Sequence, residues 1–181
     1  MRFWDASALV PLLIPERASG IVARLLRSDP EIVVAWTATI ECVSACIRRH
    51  RERVASDSQL AGALNRLRNL SGHWHVAEPT TSLRSVAERL VARHSLRTGD
   101  AIQLASATVA AEGGGSALEF VCFDRRLALA ATTEGLDVRP DGAFCFPANP
   151  IDGFAAGPNR SGVTSRQRQD RAGGPTAAEP L

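Results

Sequence analysis

The sequence predicts an α/β protein in which a central parallel sheet of about five strands is flanked by helices in three layers. Short apolar runs alternate along the chain with longer stretches of helical periodicity, which is the pattern of strand–helix–strand crossovers. The run at residues 32–36 is apolar throughout, as in strands that are buried on both faces of a parallel sheet. The length of 181 residues and the 45% content of hydrophobic residues suffice for one such domain.

The first predicted elements are one strand and two helices. Residues 2–5 form the strand, and Ser7 is expected to cap a first helix that ends at Leu13. Pro11 lacks a backbone N–H, so we expect it to lie near the first turn of that helix. Residues 16–27 predict a second helix with one apolar side.

The second strand, at residues 32–36, is followed by two further helices. The first covers residues 39–54 and is expected to turn three apolar side chains inward: Ile40, Val43 and Ile47. Four arginines lie near its end, where cations suit the helix dipole: Arg48, Arg49, Arg51 and Arg53. The second helix covers residues 57–70.

The second half of the domain continues the alternation of strands and helices. Predicted strands lie at residues 74–77, 118–123 and 136–139, and predicted helices at residues 83–94, 101–112 and 125–133. Thr98 is expected to cap the helix at residues 101–112, and the three glycines at residues 113–115 are expected to stop it.

Composition divides the chain into a domain and a tail. Residues 1–147 carry the apolar patterns and are predicted to fold as one domain. Residues 148–181 contain five glycines and four prolines but few large apolar side chains. Such a segment cannot bury enough surface to offset its conformational entropy, so it is predicted to be a disordered tail rich in glycine, proline and arginine.

The charge and cysteine counts exclude several classes of protein. All 21 cationic residues are arginines and 19 residues are acidic, so bulk charge does not mark a polycation. No apolar run reaches membrane-spanning length, and Asp5 interrupts the start before a signal peptide could form, which predicts a cytoplasmic protein. Four cysteines in a chain of this size are expected to stay reduced.

Four acids occupy equivalent places in the predicted elements. Asp5 ends the first strand, and Asp124 follows the strand at residues 118–123. Glu41 and Asp100 lie in the first turns of helices. Each acid alone has an ordinary structural explanation as a turn former or a partner of the helix dipole. Their shared position favours a joint site, because functional crevices lie beyond the carboxyl ends of parallel strands.

Four carboxylates in one crevice would repel each other unless a cation offset their charge. Oxygen ligands select hard ions, so Mg²⁺ or Mn²⁺ is the expected cofactor. Such ions lower the pKa of bound water and stabilise a leaving oxygen, which indicates phosphodiester hydrolysis. Zinc held by Cys42, Cys46 and His50 is disfavoured, because three ligands spread over two helical turns cannot easily meet one tetrahedral ion.

Other catalytic patterns are absent from the sequence. The four histidines have no nucleophile in a strand-to-helix elbow, so no Ser-His-Asp or Cys-His set is indicated. The sequence also lacks the GxxxxGKS loop and the GxGxxG fingerprint of nucleotide-binding proteins.

Three segments and one further acid resemble the PIN domain of VapC-type toxins. They are WDASALV at residues 4–10, TGDAIQLASA at residues 98–107, FDRRLA at residues 123–128, and Glu41. The resemblance covers about residues 1–140, and its second segment is the most specific. Pro11, the arginine-rich end of the third helix and the long tail depart from the family pattern, but no acid is missing.

The resemblance implies a PIN-like fold and an endoribonuclease that depends on Mg²⁺ or Mn²⁺, with tRNA or rRNA as the expected substrate. It also implies a toxin that a small cognate antitoxin neutralises and that forms a homodimer. The catalytic and metal-binding roles of the family carry over to Asp5, Glu41, Asp100 and Asp124. Ser7 and Thr98 match positions that support the site through hydrogen bonds.

Arginines at the rim of the crevice are the expected RNA contacts, because an acidic crevice cannot hold phosphates alone. The candidates are Arg125, Arg126, Arg48 and Arg49, with Arg51 and Arg53 beside them, although arginines near a helix end are more often a solvated face. Two alternatives stay open. The chain could be a catalytically weak partner-binding subunit of an antitoxin–DNA repressor complex, or it could be a metal-dependent phosphatase or DNA nuclease.

Overall fold

The computed structural model of the protein describes residues 1–114 and 118–141. These residues form five strands: Arg2–Trp4 (β1), Ile32–Ala35 (β2), His75–Ala77 (β3), Glu119–Val121 (β4) and Asp137–Arg139 (β5). They also form seven helices: Ala6–Leu13 (α1), Ser19–Ser28 (α2), Ala38–Arg51 (α3), Asp57–Ser71 (α4), Thr81–His94 (α5), Thr98–Gly114 (α6) and Arg125–Thr133 (α7). The alternation that the sequence predicts is therefore confirmed.

The strands of the described residues form one parallel sheet in the order β3-β2-β1-β4-β5. Because β1 is central, its side chains are buried on both faces: Phe3 on one and Trp4 on the other. Phe3 stacks on Phe120 of β4, with ring centroids 5.6 Å apart. The alternation of side chains along a strand thus supplies two cores from one sheet.

Two helical layers cover the sheet and complete the predicted three-layer architecture. The core on the Phe3 side is built from α5, α6 and α7, with Leu90, Leu104 and Leu127 fully buried. The core on the Trp4 side is built from α1 to α4 and includes Leu9. None of the helices in the described ranges is both long and apolar enough to cross a lipid bilayer.

The start of α1 differs from the prediction that Ser7 caps it. Asp5 is the N-cap residue, and its carboxylate accepts a hydrogen bond from the Ser7 N–H at 2.9 Å. Pro11 lies beyond the first turn and is buried, so its expected position near the first turn is wrong as well. Ile14 then ends the helix in an extended conformation. The proline is tolerated in a short helix that continues for only two residues after it.

Two other helices depart from their predicted boundaries or faces. The second begins at Ser19 rather than residue 16, because the Ser19 hydroxyl accepts from the Glu16 N–H and donates to the Pro11 carbonyl in a tight turn. In α3 the expected inward face is correct only in part: Val43 packs against the core, but Ile40 is 62% exposed. The buried residues of α3 are small: Ala38, Cys42, Ala45 and Cys46.

The start of α6 differs from the prediction that Thr98 caps it, because a capping Thr98 would precede the first helical residue. Thr98 is the first residue of α6 and not its cap, and the Ala101 N–H already bonds to the carbonyl of Arg97 at 2.9 Å. The predicted disorder of residues 148–181 falls outside the described residues and stays a prediction.

Candidate active site

Three neighbouring strands bring the predicted acids to one edge of the sheet. Asp5 directly follows β1, and Asp124 lies three residues after β4. Glu41 lies in the first turn of α3, which follows β2. Because β2, β1 and β4 are adjacent and parallel, their carboxyl ends share an edge. Asp100 joins them from the first turn of α6.

Asp5 is the most buried of these acids, with an exposed fraction of 5%. The Asp5 N–H donates to the Val121 carbonyl at 3.0 Å, which ties the end of β1 to β4. Burial raises the pKa of the Asp5 carboxyl from 3.8 to about 7, although hydrogen bonds from Ser7 lower it, and the charges of Glu41 and Asp124 raise it further. The fold therefore gives the Asp5 carboxyl a pKa close to neutral pH.

Asp100 experiences the same acidic surroundings. Its pKa is raised first by burial and then by Asp124 and, more weakly, by Glu41, while Arg126 and Arg97 lower it. All four acids therefore interact electrostatically, and we refer to the group formed by Asp5, Glu41, Asp100 and Asp124 as the acid crevice.

Two acids of the crevice are each oriented by hydrogen bonds to one of their two carboxylate oxygens. Glu41 Oε1 accepts from the Thr37 hydroxyl at 2.6 Å and from Gln103 Nε2 at 2.9 Å. Asp124 is the N-cap of α7, and its Oδ1 accepts from the Leu127 N–H at 2.8 Å. These contacts fix both carboxylates while they engage only one oxygen of each.

Ser7 and Cys122 contact Asp5 and the segment that carries Asp124. The Ser7 hydroxyl accepts from the Phe123 N–H at 2.9 Å, so it connects the start of α1 to the segment after β4. Cys122 Sγ lies 3.9 Å from Asp5 Oδ2 and 3.4 Å from the Asp124 carbonyl. Burial and the nearby Asp5 raise the pKa of the Cys122 thiol, so it remains a protonated donor. Through its backbone N–H and its hydroxyl, Ser7 thus contacts both Asp5 and the segment that carries Asp124.

The donor set fits a hard divalent cation. Carboxylate oxygens are the ligands that Mg²⁺ and Mn²⁺ prefer. Within residues 1–114 and 118–141, no three His, Cys, Asp or Glu side chains are grouped tightly enough to form a ready coordination shell. Four like charges in one crevice repel one another, and a bound cation would relieve that repulsion. Gln103 Oε1, a buried oxygen that receives no hydrogen bond among the described residues, adds a polar atom that such an ion and its waters could satisfy.

Two predicted arginines lie away from the crevice, whereas Thr98 lies in the first turn of α6, two residues before Asp100. Arg48 and Arg49 are near the end of α3, opposite the turn that carries Glu41, and Arg49 forms an ion pair with Glu16 at 2.7 Å. Thr98 is exposed and lines a groove of about 320 Å³ between α5 and α6.

Three residues near the acids were missed in the sequence. Thr37 precedes Glu41 by four residues, and Gln103 follows Asp100 by three, so helical spacing could have suggested both. Arg97 precedes α6 and lowers the pKa of Asp100. Its proximity to the crevice depends on how the connection from α5 to α6 packs.

Comparisons with known proteins agree with the sequence motifs. The family model described as "PIN domain" matches residues 2–132. Ribonuclease VapC45 from Mycobacterium tuberculosis (strain CDC 1551 / Oshkosh) is 30% identical over 141 residues, which cover 76% of this chain and 94% of that protein. Ribonuclease VapC49 from Mycobacterium tuberculosis (strain ATCC 25618 / H37Rv) has the same identity and coverage.

Two solved structures share the fold. PAE2754 from Pyrobaculum aerophilum superposes with a TM-score of 0.54 at 21% identity, over 76% of this chain and 87% of that chain. A toxin–antitoxin complex from Klebsiella pneumoniae contains a chain that superposes with a TM-score of 0.51 at 16% identity, over 68% of this chain and 87% of that one. At these identities the likeness concerns the fold alone.

Proposed function

The chain belongs to the PIN-domain family and to its VapC-type ribonucleases, and from this premise we propose that it is a metal-dependent endoribonuclease and the toxin of a toxin–antitoxin pair. The observation that carries the proposal is the acid crevice. Burial and neighbouring carboxylates raise the pKa of both Asp5 and Asp100, which is the electrostatic pattern of a cation-binding active site.

The four carboxylates of the acid crevice would hold the cation, assisted by water. When bound, Mg²⁺ or Mn²⁺ lowers the pKa of a coordinated water and stabilises charge on the phosphoryl group. The protein contributes the positions of the ligands: Asp5 at the end of β1, Glu41 held by Thr37 and Gln103, and Asp124 held by its N-cap bond. Ser7 links two of these segments and keeps Asp5 and Asp124 in register.

Arginines at the start of α7 are the best-placed phosphate contacts. Arg125 and Arg126 are exposed and directly follow Asp124. Arg126 donates to the Ser95 carbonyl at 3.0 Å, which holds its guanidinium on the side where it lowers the pKa of Asp100. A guanidinium can contact a phosphate bidentately, so these residues are suited to position an RNA backbone. Arg48 and Arg49 are the second choice as phosphate contacts, because they lie at the opposite end of α3 from Glu41.

The proposed partners are an antitoxin and a second copy of the chain. The antitoxin is supported by the VapC relatives and by the structural neighbour described as a toxin–antitoxin complex. The homodimer is supported by the exposed apolar side chains of Trp36 and Ile40, 40% and 62% exposed, at the start of α3. Exposed patches of large apolar side chains are typical of protein–protein contact surfaces.

The test is a substrate panel with purified, antitoxin-free protein. Single-stranded RNA, tRNA, DNA of the same sequence and p-nitrophenyl phosphate are incubated with Mg²⁺, with Mn²⁺ or with EDTA. We expect internal cleavage of RNA with either cation, no cleavage in EDTA, and no hydrolysis of DNA or of the phosphate monoester. Hydrolysis of DNA or the monoester in place of RNA would instead support one of the other metal-dependent hydrolases.

A further inference from the structure

Glu41 is held by two side chains from different elements. Thr37 precedes α3, and Gln103 projects from α6, where it is 1% exposed. Both donate to the same oxygen, Glu41 Oε1. These two hydrogen bonds fix the orientation of the whole carboxylate group. The direction of the second oxygen, Oε2, is therefore fixed as well.

Thr37 forms this contact instead of the one expected from its position. A threonine at an N-cap normally accepts a hydrogen bond from a backbone N–H of the helix. At α3 the Thr37 side chain makes no such bond, and its hydroxyl donates to Glu41 at 2.6 Å. The start of the helix therefore lacks the cap that this residue type usually supplies.

Gln103 is likewise only half satisfied. Its Nε2 donates to Glu41 at 2.9 Å, but its Oε1 is buried and has no donor among the described residues. A buried carbonyl oxygen without a donor is unfavourable in a fold, and a bound water or ion is one of the groups that can satisfy it. Because the oxygen belongs to the same planar amide as Nε2, it lies close to the Glu41 carboxylate.

We propose that Thr37 and Gln103 are positioning residues that fix Glu41 as a ligand for the divalent cation, and that Gln103 Oε1 accepts a hydrogen bond from water in the hydration shell of that cation. This inference rests on the proposed metal-dependent function. Mg²⁺ and Mn²⁺ usually keep several waters when carboxylates bind them, so an acceptor beside one ligand has a natural partner. Partners of this kind orient metal ligands and tune metal affinity.

The test measures Mn²⁺ binding to the full chain by electron paramagnetic resonance, without RNA. Gln103→Met keeps the length of the side chain but removes both polar atoms, and Thr37→Val removes only the hydroxyl. Each is expected to raise the Mn²⁺ Kd by roughly 10-fold or more, as for other partners of metal ligands. Each should also raise the Mn²⁺ concentration for half-maximal RNA cleavage while the KM for RNA stays unchanged.

Two matched controls come from α6. Ser106→Ala removes a buried hydroxyl that, like Gln103 Oε1, has no hydrogen-bond partner among the described residues, and Thr108→Val removes a hydroxyl that donates to the Leu104 carbonyl at 2.9 Å. Both should bind Mn²⁺ with the affinity of the wild type. Far-UV circular dichroism and metal-free melting confirm that each variant folds, and the Thr37 variant tests the proposal independently should Gln103→Met unfold.

The outcomes separate this inference from the proposed function. If the wild type binds Mn²⁺, Asp100→Asn abolishes binding and both positioning variants bind like the wild type, the inference is wrong and the metal-dependent function stands. If the wild type itself does not bind Mn²⁺, both are wrong. Weaker binding by both variants, with unchanged controls, supports the inference.

Discussion

Replacing Asp5 by asparagine should stabilise the metal-free protein at neutral pH. The fold raises the pKa of Asp5 from 3.8 to about 7, so the folded state binds the proton more tightly than the unfolded state does. The associated stability is fully present below pH 3.8 and is lost as the pH rises towards 7. At about 1.4 kcal/mol per pKa unit, the full loss is about 4 kcal/mol.

Asparagine removes this titration but keeps the interactions of the residue. Its side-chain oxygen can still accept from the Ser7 N–H, and asparagine is as good an N-cap as aspartate. The free energy of unfolding of Asp5→Asn, relative to the wild type, should therefore increase by about 3 kcal/mol between pH 5 and pH 8. Asp57→Asn is the control, because the Asp57 side chain is 97% exposed and its ion pair with His50 at 3.4 Å is a surface contact of little energetic weight.

The assay is urea denaturation of the three proteins in EDTA at pH 5 and pH 8. The difference between Asp5→Asn and the wild type should widen with pH, and Asp57→Asn should follow the wild type. Adding Mg²⁺ at pH 8 should restore stability to the wild type, by about 2.7 kcal/mol at 100 times its Kd, but not to Asp5→Asn. Parallel pH profiles of the wild type and Asp5→Asn would refute the argument that the ionised Asp5 side chain destabilises the metal-free fold.

Other predictions concern the core, the RNA contacts and the last acid. Leu9→Ala should lower the free energy of unfolding by about 2–5 kcal/mol because Leu9 is fully buried, whereas Leu129→Ala, at a position that is 61% exposed, should change it by less than about 0.5 kcal/mol, as measured by urea denaturation. Arg126→Ala should weaken RNA binding and reduce its salt dependence by about one phosphate contact, as measured by binding titrations at several salt concentrations. Arg48→Ala should change both less than Arg126→Ala does, and an equal effect of the two would contradict the assignment of the RNA path to α7. Asp124→Asn should retain the melting temperature, since asparagine also caps α7, but lose RNA cleavage; a matching loss of thermal stability would show a structural role instead.

The positions of three of the four acids could be predicted from the sequence because they depend on a simple topological rule. Apolar runs and helical periodicity locate the strand ends, and parallel strands place those ends at one edge of the sheet. Asp5, Glu41 and Asp124 follow three strands that prove to be adjacent. The strand order is what makes these three ends neighbours, and the sequence pattern does not reveal that order.

The contacts around the acids could not be predicted in the same way. The hydrogen bond from Gln103 to Glu41 joins residues separated by 62 positions, so it depends on how α3 and α6 pack. The inward face of α3 was mistaken in part for a similar reason. Its large apolar residue Ile40 is exposed, whereas small residues such as Ala38 and Cys42 face the core, because close packing of helices selects for size as well as polarity.

The most direct test of the account is RNA cleavage by Asp100→Asn in saturating Mg²⁺. Asparagine matches aspartate in size but removes one charge from the acid crevice, so kcat/KM should fall by at least about 100-fold, which corresponds to a loss of several kcal/mol of metal-based stabilisation. Asp57→Asn should cleave RNA like the wild type. Cleavage by Asp100→Asn at the wild-type rate, in protein whose fold is confirmed by circular dichroism, would contradict the central claim that these four acids form the active site.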